Sequence, residues 1–180
     1  MSKEENILKL FYNEPTKHWH FEAILKEASI SRPQAVQWLK LFIKRSLIKR
    51  VKEKHKMPYY IAQPESPHYK AAKRIYALQQ FEQSGFLAHL ISLPKAKTVI
   101  IFGSMVRGDW YTDSDIDVFV YGDAEGLHSI EFRGKLHREL EIFECKNSTY
   151  LEKFGSGLLR NISEGYLVKG NLDFIEVAHT

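Results

Sequence analysis

The sequence contains a single cysteine, Cys145, among its 180 residues. One cysteine cannot form an internal disulfide and leaves no cysteine-based zinc site, so Cys145 is predicted to end a buried strand. No apolar run reaches the 18 or more residues that a membrane-spanning helix needs. The first five residues are too polar and too acidic for a signal peptide. We therefore expect a soluble, cytoplasmic protein with no membrane partner.

The second part of the chain has no excess of positive charge, whereas the first part is strongly basic. Residues 1–62 contain 13 Lys and Arg against 6 Asp and Glu, a formal charge of +7. Residues 63–180 contain 13 against 16, a formal charge of −3. This shift in composition indicates two domains and suggests a polyanionic partner for the first. Hydrophobic residues make up 44% of the chain, which supports packed cores and argues against disorder.

The most informative segment is residues 99–122, which read VIIFGSMVRGDWYTDSDIDVFVYG. An apolar strand ends in a Gly103-Ser104 turn, and a second strand is predicted to open with Asp115 and Asp117. Side chains alternate along a strand, so these two carboxylates project from one face, about 7 Å apart. They repel each other unless a cation lies between them, and Mg²⁺ is the natural occupant because it prefers oxygen ligands and often also binds substrate phosphates.

The glycine and serine of the turn suit the binding of an anion. Gly103 allows the backbone to approach a ligand closely, and a short helix opening at Ser104 would direct free N–H groups towards it. A phosphate-binding site next to a pair of metal-binding carboxylates is the arrangement that nucleotidyl transfer requires.

These features resemble the minimal nucleotidyltransferases of the polymerase-β-like superfamily. The signature of that family is a hydrophobic residue followed by Gly-Ser, a spacer, and Asp-x-Asp, often with Arg-Gly shortly after the serine. Here Gly103-Ser104 is followed by Arg107-Gly108, and ten residues separate Ser104 from Asp115. The resemblance covers residues 97–177 in outline and is sharpest across the two strands and the turn.

The resemblance implies transfer of a nucleoside monophosphate from a nucleoside triphosphate, with ATP expected, to an acceptor, with release of pyrophosphate. Asp115, Asp117 and a third carboxylate would hold two Mg²⁺ ions and be the catalytic residues. Gly103 and Ser104 would hold the β- and γ-phosphates. Arg107 would neutralise the leaving pyrophosphate, although it could instead form an ion pair with a nearby aspartate.

The third carboxylate of this family lies on a neighbouring strand, and residues 138–144, RELEIFE, are the only acidic strand candidate. Glu141 shares a face with Phe143, as Asp117 does with Phe119, which suggests adjacent strands with the same face exposed. Glu141 is therefore the first choice, and Glu139 and Glu144 are the alternatives.

The first part of the chain shows three helical patterns followed by two strands around a basic tip. The third helix opens with Ser31-Arg32-Pro33-Gln34, a capping box with proline in the first turn. It places Val36, Leu39 and Ile43 on one stripe. The pattern resembles a winged helix-turn-helix domain, in which the third helix enters the major groove and the wing follows the phosphates. The candidate contacts to duplex DNA are Arg32, Gln34, Gln37, Lys40, Lys49, Lys52, Lys54 and Lys56. The alternative is a module for dimerisation or protein docking.

We therefore predict an α+β protein with three parts: a winged helix-turn-helix domain (1–63), a linker and connecting helix (64–94), and a small mixed-sheet nucleotidyltransferase domain with flanking helices (95–180). The connecting helical pattern, 69–92, loosens at residues 84–85 and is predicted to pack between the domains. Packing between the subunits of a homodimer is the second expectation. The chain should close with a helix pair capped by Gly165 and a hairpin with strands at 167–168 and 174–175.

The acceptor does not follow from these motifs. Small bacterial and archaeal enzymes with this signature include antitoxins that nucleotidylate a partner toxin, so a protein acceptor is expected first and a small molecule or RNA second. The alternative function is a DNA-binding transcriptional regulator whose nucleotidyltransferase-like domain only senses a nucleotide or a partner. Intact Asp115 and Asp117 weigh against it, because a sensor does not need two adjacent carboxylates.

Overall fold

The computed structural model describes residues 3–174, which form both helices and strands along their whole length. The helices are α1 (Lys3–Asn13), α2 (Phe21–Ala28), α3 (Arg32–Lys44), α4 (Pro67–Gln83), α5 (Phe86–Ser92), α6 (Ser104–Arg107), α7 (Ser129–Leu136), α8 (Ser148–Leu151) and α9 (Ser156–Ser163). The strands are β1 (Trp19–His20), β2 (Ile48–Val51), β3 (Tyr59–Ala62), β4 (Ala96–Phe102), β5 (Ile116–Gly122), β6 (Leu140–Cys145) and β7 (Tyr166–Lys169).

This mixture of helices and two sheets is the expected α+β class. The described residues form two compact units, one made of residues 3–75 and 108–112 and the other of residues 76–107 and 113–174. The domain boundaries inferred from composition remain a prediction. Within residues 3–174, no helix combines the length and the apolar character needed to cross a membrane.

The first unit contains three helices and a three-stranded antiparallel sheet with the order β1-β3-β2. The three helices and the two strands expected in this part of the chain are present as α1, α2, α3 and the hairpin β2–β3, and α3 begins directly after Ser31 as predicted. The two-residue strand β1 was not predicted, because two residues are too few to show an alternating pattern. Its Trp19 is buried and makes an edge contact with Phe11 of α1.

The predicted inward stripe of α3 is wrong at two of its three positions. Leu39 is buried, but Val36 and Ile43 are 40% and 39% exposed, and the inward residues are instead Ala35 and Phe42. Both stripes contain Leu39 and have helical spacing, so periodicity alone did not separate them. The observed orientation buries the larger apolar surface of Phe42, on which Trp38 stacks.

A buried lysine attaches residues 108–112 to α4 within the first unit. Lys73 is 1% exposed, and its Nζ donates a hydrogen bond to the carbonyl of Trp110. The same Nζ lies 4.3 Å from the centroid of the Trp110 ring. Aromatic faces and a carbonyl offset part of the cost of removing an ammonium group from water. At the end of this segment, Thr112 N donates to Asn13 O at 3.0 Å.

The second unit is built on a four-stranded mixed sheet with the order β6-β5-β4-β7. Strand β4 is antiparallel to β5 and β7, whereas β5 and β6 are parallel and are joined through α7. Nearly every residue of β4 is buried because its sequence is an almost continuous apolar run. One face of the sheet carries an apolar cluster of Ile100, Phe102, Phe119, Cys145 and Ile162. Cys145 ends β6 and is buried, as predicted.

The closing segment differs from expectation at its glycine. Helices α8 and α9 are the expected pair, but Glu164 caps α9, and Gly165 follows it. A Cβ atom on Gly165 would lie 2.8 Å from the carbonyl oxygen of Ile101, so glycine is needed here for close approach to β4. The first predicted hairpin strand is β7. The second includes Ile175, which lies outside the described residues.

Candidate active site

The register of the second sheet brings the main site candidates together at one end of it. Phe102, the last residue of β4, pairs with Asp117 of β5, so the Gly103-Ser104 turn begins next to Asp117. Asp117 pairs with Glu141 of β6. Paired residues on parallel neighbours point to the same face, and adjacent strands lie about 4.8 Å apart, so these two carboxylates are immediate neighbours. The matching pattern that suggested adjacent strands thus corresponds to the observed register.

Gly103 shows how closely the Asp117 carboxylate approaches the turn. The backbone of Gly103 has φ +75°, a conformation that L side chains rarely adopt. A Cβ atom built on Gly103 would lie 1.9 Å from Asp117 Oδ2, which no real contact allows. The absence of a side chain at this position therefore makes room for the carboxylate.

The electrostatics of Asp117 are those of a crowded acidic site. Its pKa is raised from an ordinary value of 3.8 to about 6, first by partial burial and then by the neighbouring charges of Glu141 and Asp115. The positive charge of Arg107 acts in the opposite direction. Removing a carboxylate from water next to like charges is unfavourable, and such an arrangement is more common at functional sites than elsewhere.

The remaining residues of the motif surround this carboxylate. Asp115 directly precedes β5, so the strand starts one residue later than predicted. The side chain of Asp115 is exposed. Ser104 is the first residue of the four-residue helix α6, which opens where it was expected. Arg107 is the last residue of α6, is exposed, and donates its backbone N–H to the carbonyl of Gly103 at 3.1 Å.

The two alternative third carboxylates have other partners. Glu139 forms a salt bridge of 2.6 Å with Arg133 on the surface. Glu144 accepts a hydrogen bond from the backbone N–H of Ala124 at 2.9 Å and pairs with Val120, on the face opposite to Asp117. The Glu141 carboxylate is exposed and lies directly beside Asp117. The geometry therefore favours Glu141.

Sequence analysis did not single out Arg138. Its Nη1 donates a hydrogen bond of 2.8 Å to the carbonyl oxygen of Ser114, the residue that directly precedes Asp115. Burial lowers the pKa of this guanidinium group, while nearby Tyr76, Asp113 and Asp115 favour its charged form. Arg138 stands at the beginning of an acidic segment, and no local motif connects it with residues more than twenty positions earlier.

The donor set agrees in chemistry with a magnesium site. Carboxylate oxygens are the ligands that Mg²⁺ prefers, and the raised pKa of Asp117 reflects negative charge that a cation would offset. The side chains of residues 3–174 do not, however, bring three His, Cys, Asp or Glu groups close enough together to hold a metal as they stand. Asp117 and Glu141 are adjacent through their strands, and Asp115, on the exposed segment before β5, would have to turn towards them.

Comparison with protein families places this site in a known context. Residues 88–164 match the family described as "Polymerase beta, Nucleotidyltransferase". The match contains the turn, the strands β4, β5 and β6, and every carboxylate considered above. The match spans less than half of the chain, and it confirms the enzyme class, a nucleotidyltransferase, that was predicted from the motif.

The other comparisons add little. No curated protein is significantly similar to the chain. Among solved structures, a protein from Sulfolobus solfataricus described as a "putative nucleotidyltransferase" is 18% identical, and the alignment covers 54% of this chain and 84% of that one. The TM-score of 0.27 is too low for this similarity to support an argument about fold or function.

The clash at Gly103 gives a first testable prediction. Gly103→Ala should lower the free energy of unfolding by about 1–3 kcal/mol more than Gly85→Ala, because overpacking is added to backbone strain. Gly85 is the matched control, since its φ is +77° but nothing lies within 4 Å of a Cβ atom there. Urea denaturation of both variants measures the difference. Equal losses would show that the Asp117 carboxyl group does not lie over the turn.

The raised pKa of Asp117 predicts an unusual pH dependence of stability. The folded chain holds this proton more tightly than the unfolded chain, so the contribution of Asp117 to stability falls as the pH rises through about 6. In a metal chelator, Asp117→Asn should therefore raise the melting temperature at about pH 7.5 and raise it less at about pH 4.

The control for this experiment is Glu82→Gln, which removes one charge from an exposed position of α4 in the same unit. Scanning calorimetry at the two pH values measures both variants against the wild type. The interpretation is wrong if Asp117→Asn gives no stabilisation at the higher pH, or if Glu82→Gln gives an equal one.

Proposed function

We propose that the protein transfers a nucleoside monophosphate from a nucleoside triphosphate, with ATP expected, to an acceptor in a Mg²⁺-dependent reaction that releases pyrophosphate. The observation that carries the proposal is the position of Asp117, which pairs with Glu141 and lies over the Gly103 turn. Its pKa of about 6 reflects the crowding of negative charge there. A metal-binding face beside a glycine turn suits a triphosphate better than a neutral ligand.

In this proposal Asp115, Asp117 and Glu141 hold two Mg²⁺ ions. When bound, the ions supply positive charge that the phosphate oxygens need during an in-line displacement. The acceptor oxygen forms a bond to the α-phosphorus, and the bond between that phosphorus and the pyrophosphate oxygen breaks. Glu141 is exposed, and it either lowers the proton affinity of the acceptor group by binding the metal, so that the proton passes to water, or accepts that proton itself.

The triphosphate is held by the other half of the site. The backbone of Gly103 and the hydroxyl group of Ser104 contact the β- and γ-phosphates. Arg107, whose charge already acts on Asp117, neutralises the leaving pyrophosphate. A protein is the favoured acceptor, by analogy with antitoxins that carry the same signature; the analogy concerns the motif alone.

Glu141 provides the sharpest test of the proposed chemistry. Glu141→Gln keeps the shape of the side chain but removes its charge, so transfer should fall about 100-fold or more while the melting temperature is unchanged or higher. The control is Glu139→Gln, which removes a surface salt bridge and should leave transfer nearly intact.

The measurement uses each labelled nucleoside triphosphate with Mg²⁺, with and without the proteins encoded by neighbouring genes as acceptors. Calorimetry of nucleotide binding, with and without Mg²⁺, provides a second readout. Unchanged Mg²⁺-dependent binding by Asp117→Asn would remove the carboxylates from the proposal. Retained transfer by Glu141→Gln, with loss in Glu139→Gln or Glu144→Gln, would move the third carboxylate to that residue.

A second function, binding of duplex DNA, is favoured by the first unit. We propose that residues 1–63 form a winged helix-turn-helix domain with α3 as recognition helix and the β2–β3 hairpin as wing. The order of helices and strands and the antiparallel sheet support this proposal. A nucleotidyltransferase-like sensor joined to a DNA-binding regulator is the alternative for the whole chain.

The structure divides the candidate DNA contacts into two groups. Three have local partners: Arg32 forms a 2.7 Å salt bridge with Glu22, Gln34 accepts hydrogen bonds from Ser31, and Lys56 pairs with Glu53. The predicted capping box is present, and the Gln34 amide oxygen is occupied by it, so this side chain is less available to read base edges. Gln37 and Lys40 on α3, and Lys49, Lys52 and Lys54 on or near the wing, are exposed.

DNA binding should therefore depend more on Lys52 and Lys54 than on Lys56. Replacing both by alanine should weaken binding to any duplex. The slope of log K against log salt concentration should become less negative by about one per lost phosphate contact. Gln37→Ala should instead change which sequences are preferred, because an amide can read base edges.

The control removes the same charge elsewhere, through Lys9→Ala and Lys26→Ala, both at exposed positions outside α3 and the wing. Fluorescence anisotropy with random and genomic duplexes at several salt concentrations measures the slopes. Should the full chain bind no duplex even at low salt, or should the control double variant flatten the slope equally, the first unit is a docking or dimerisation module.

A further inference from the structure

We propose that Arg138 is a positioning residue that fixes the backbone around Asp115 for nucleotide binding at the proposed active site. The inference rests on the proposed function in one respect, since it takes Asp115 as a ligand of the metal-nucleotide complex. The contacts that carry it lie within the second unit and involve only described residues.

Two hydrogen bonds hold the peptide groups on either side of Asp115. The carbonyl before it, that of Ser114, accepts a hydrogen bond of 2.8 Å from Arg138 Nη1. The N–H after it, that of Ile116, donates to the carbonyl of Glu139 at 2.9 Å. The two partners are consecutive residues directly before β6, so this short segment holds Asp115 from both sides.

These two hydrogen bonds lie outside the regular pairing of the sheet. The parallel pairing of β5 and β6 begins at Ile116 and Leu140, so Asp115 precedes the first pair. The exposed Asp115 would otherwise lie on an open chain segment between α6 and β5. The side chain of Arg138 therefore provides a hydrogen bond to Ser114, where the two strands are no longer paired through their backbones.

Burial and charge set Arg138 apart from other arginines of this region. It is half-buried, and Asp113 and Asp115 lie close enough to favour its charged form. A guanidinium group remains charged at any physiological pH and offers donors in a fixed plane. Arg138 is therefore a permanent positive charge next to Asp115, on an acidic site where Asp117 already interacts with Arg107.

The expected functional consequence is preorganisation. A ligand held in place before binding loses less conformational freedom when the metal-nucleotide complex arrives. A hydrogen bond from a charged donor is worth about 10- to 100-fold in an equilibrium, and the Ser114 acceptor is partly buried. Loss of the Arg138 contact should therefore weaken nucleotide binding without unfolding the unit.

The experiment compares Arg138→Met and Arg138→Lys with a matched control, Arg133→Met. Arg133 also pairs with a residue directly before β6, Glu139, but that salt bridge is on the surface, with side-chain exposures of 62% and 56%. The readouts, on the full chain, are amide hydrogen exchange of residues 114–117 and the affinity for ATP with Mg²⁺ by calorimetry.

In Arg138→Met, exchange of the Ile116 amide should become about tenfold faster and the affinity for ATP with Mg²⁺ should fall about tenfold. Arg138→Lys keeps a positive donor and should recover part of both losses, and Arg133→Met should change neither. Unchanged exchange and affinity in Arg138→Met, or equal changes in Arg133→Met, would overturn the proposal.

The exchange measurement separates this inference from the proposed function. If the wild type binds no nucleotide, the proposed function fails, but faster exchange at Ile116 in Arg138→Met alone still supports the positioning of the backbone by Arg138. If Arg138→Met does not fold, Arg138→Lys decides in its place: a partial change in exchange and affinity supports the proposal, and wild-type values for both overturn it.

Discussion

The register between β4, β5 and β6 is the constraint on which the whole candidate site depends. A shift of β5 by one residue against either neighbour would turn Asp117 to the opposite face of the sheet. The observed register is fixed by burial, since Phe119, the next residue on the face of Asp117, lies in the apolar cluster with Phe102 and Ile100. The same packing that stabilises the sheet therefore places a carboxylate at the edge of its apolar face, next to the Gly103 turn.

This placement is unfavourable for the carboxylate itself. Partial burial and the charges of Glu141 and Asp115 raise the pKa of Asp117, so the isolated chain carries repulsion that a bound cation would relieve. The two arginines near the site have different roles in this balance: Arg107 acts on the charge of Asp117, and Arg138 holds the backbone before Asp115. A site that is less stable when empty is expected where binding of charged ligands is the function.

Sequence reasoning predicted what alternation and local motifs encode. The pairing of Glu141 with Asp117 was anticipated because each is followed two residues later by a phenylalanine, and both phenylalanines belong to the same apolar cluster region. The contact from Arg138 to Ser114 was not predictable, because it depends on how α7 returns the chain to the sheet. The inward face of α3 was mistaken for a related reason: two stripes had the same spacing, and the packing of Phe42 decided between them.

The exposed surface of α3 bears on the choice between DNA and protein as the partner of the first unit. Val36 and Ile43, which were expected inside, lie on the outside with Lys40, so this surface is a mixture of apolar and basic groups. Apolar side chains in a major groove can contact thymine methyl groups but contribute nothing to phosphate binding. Electrostatic attraction to DNA would thus come mainly from the exposed lysines of the hairpin, whereas docking of a protein would use α3 itself. These groups lie on different elements of the chain, so the charges of the wing and the apolar residues of α3 can be altered independently.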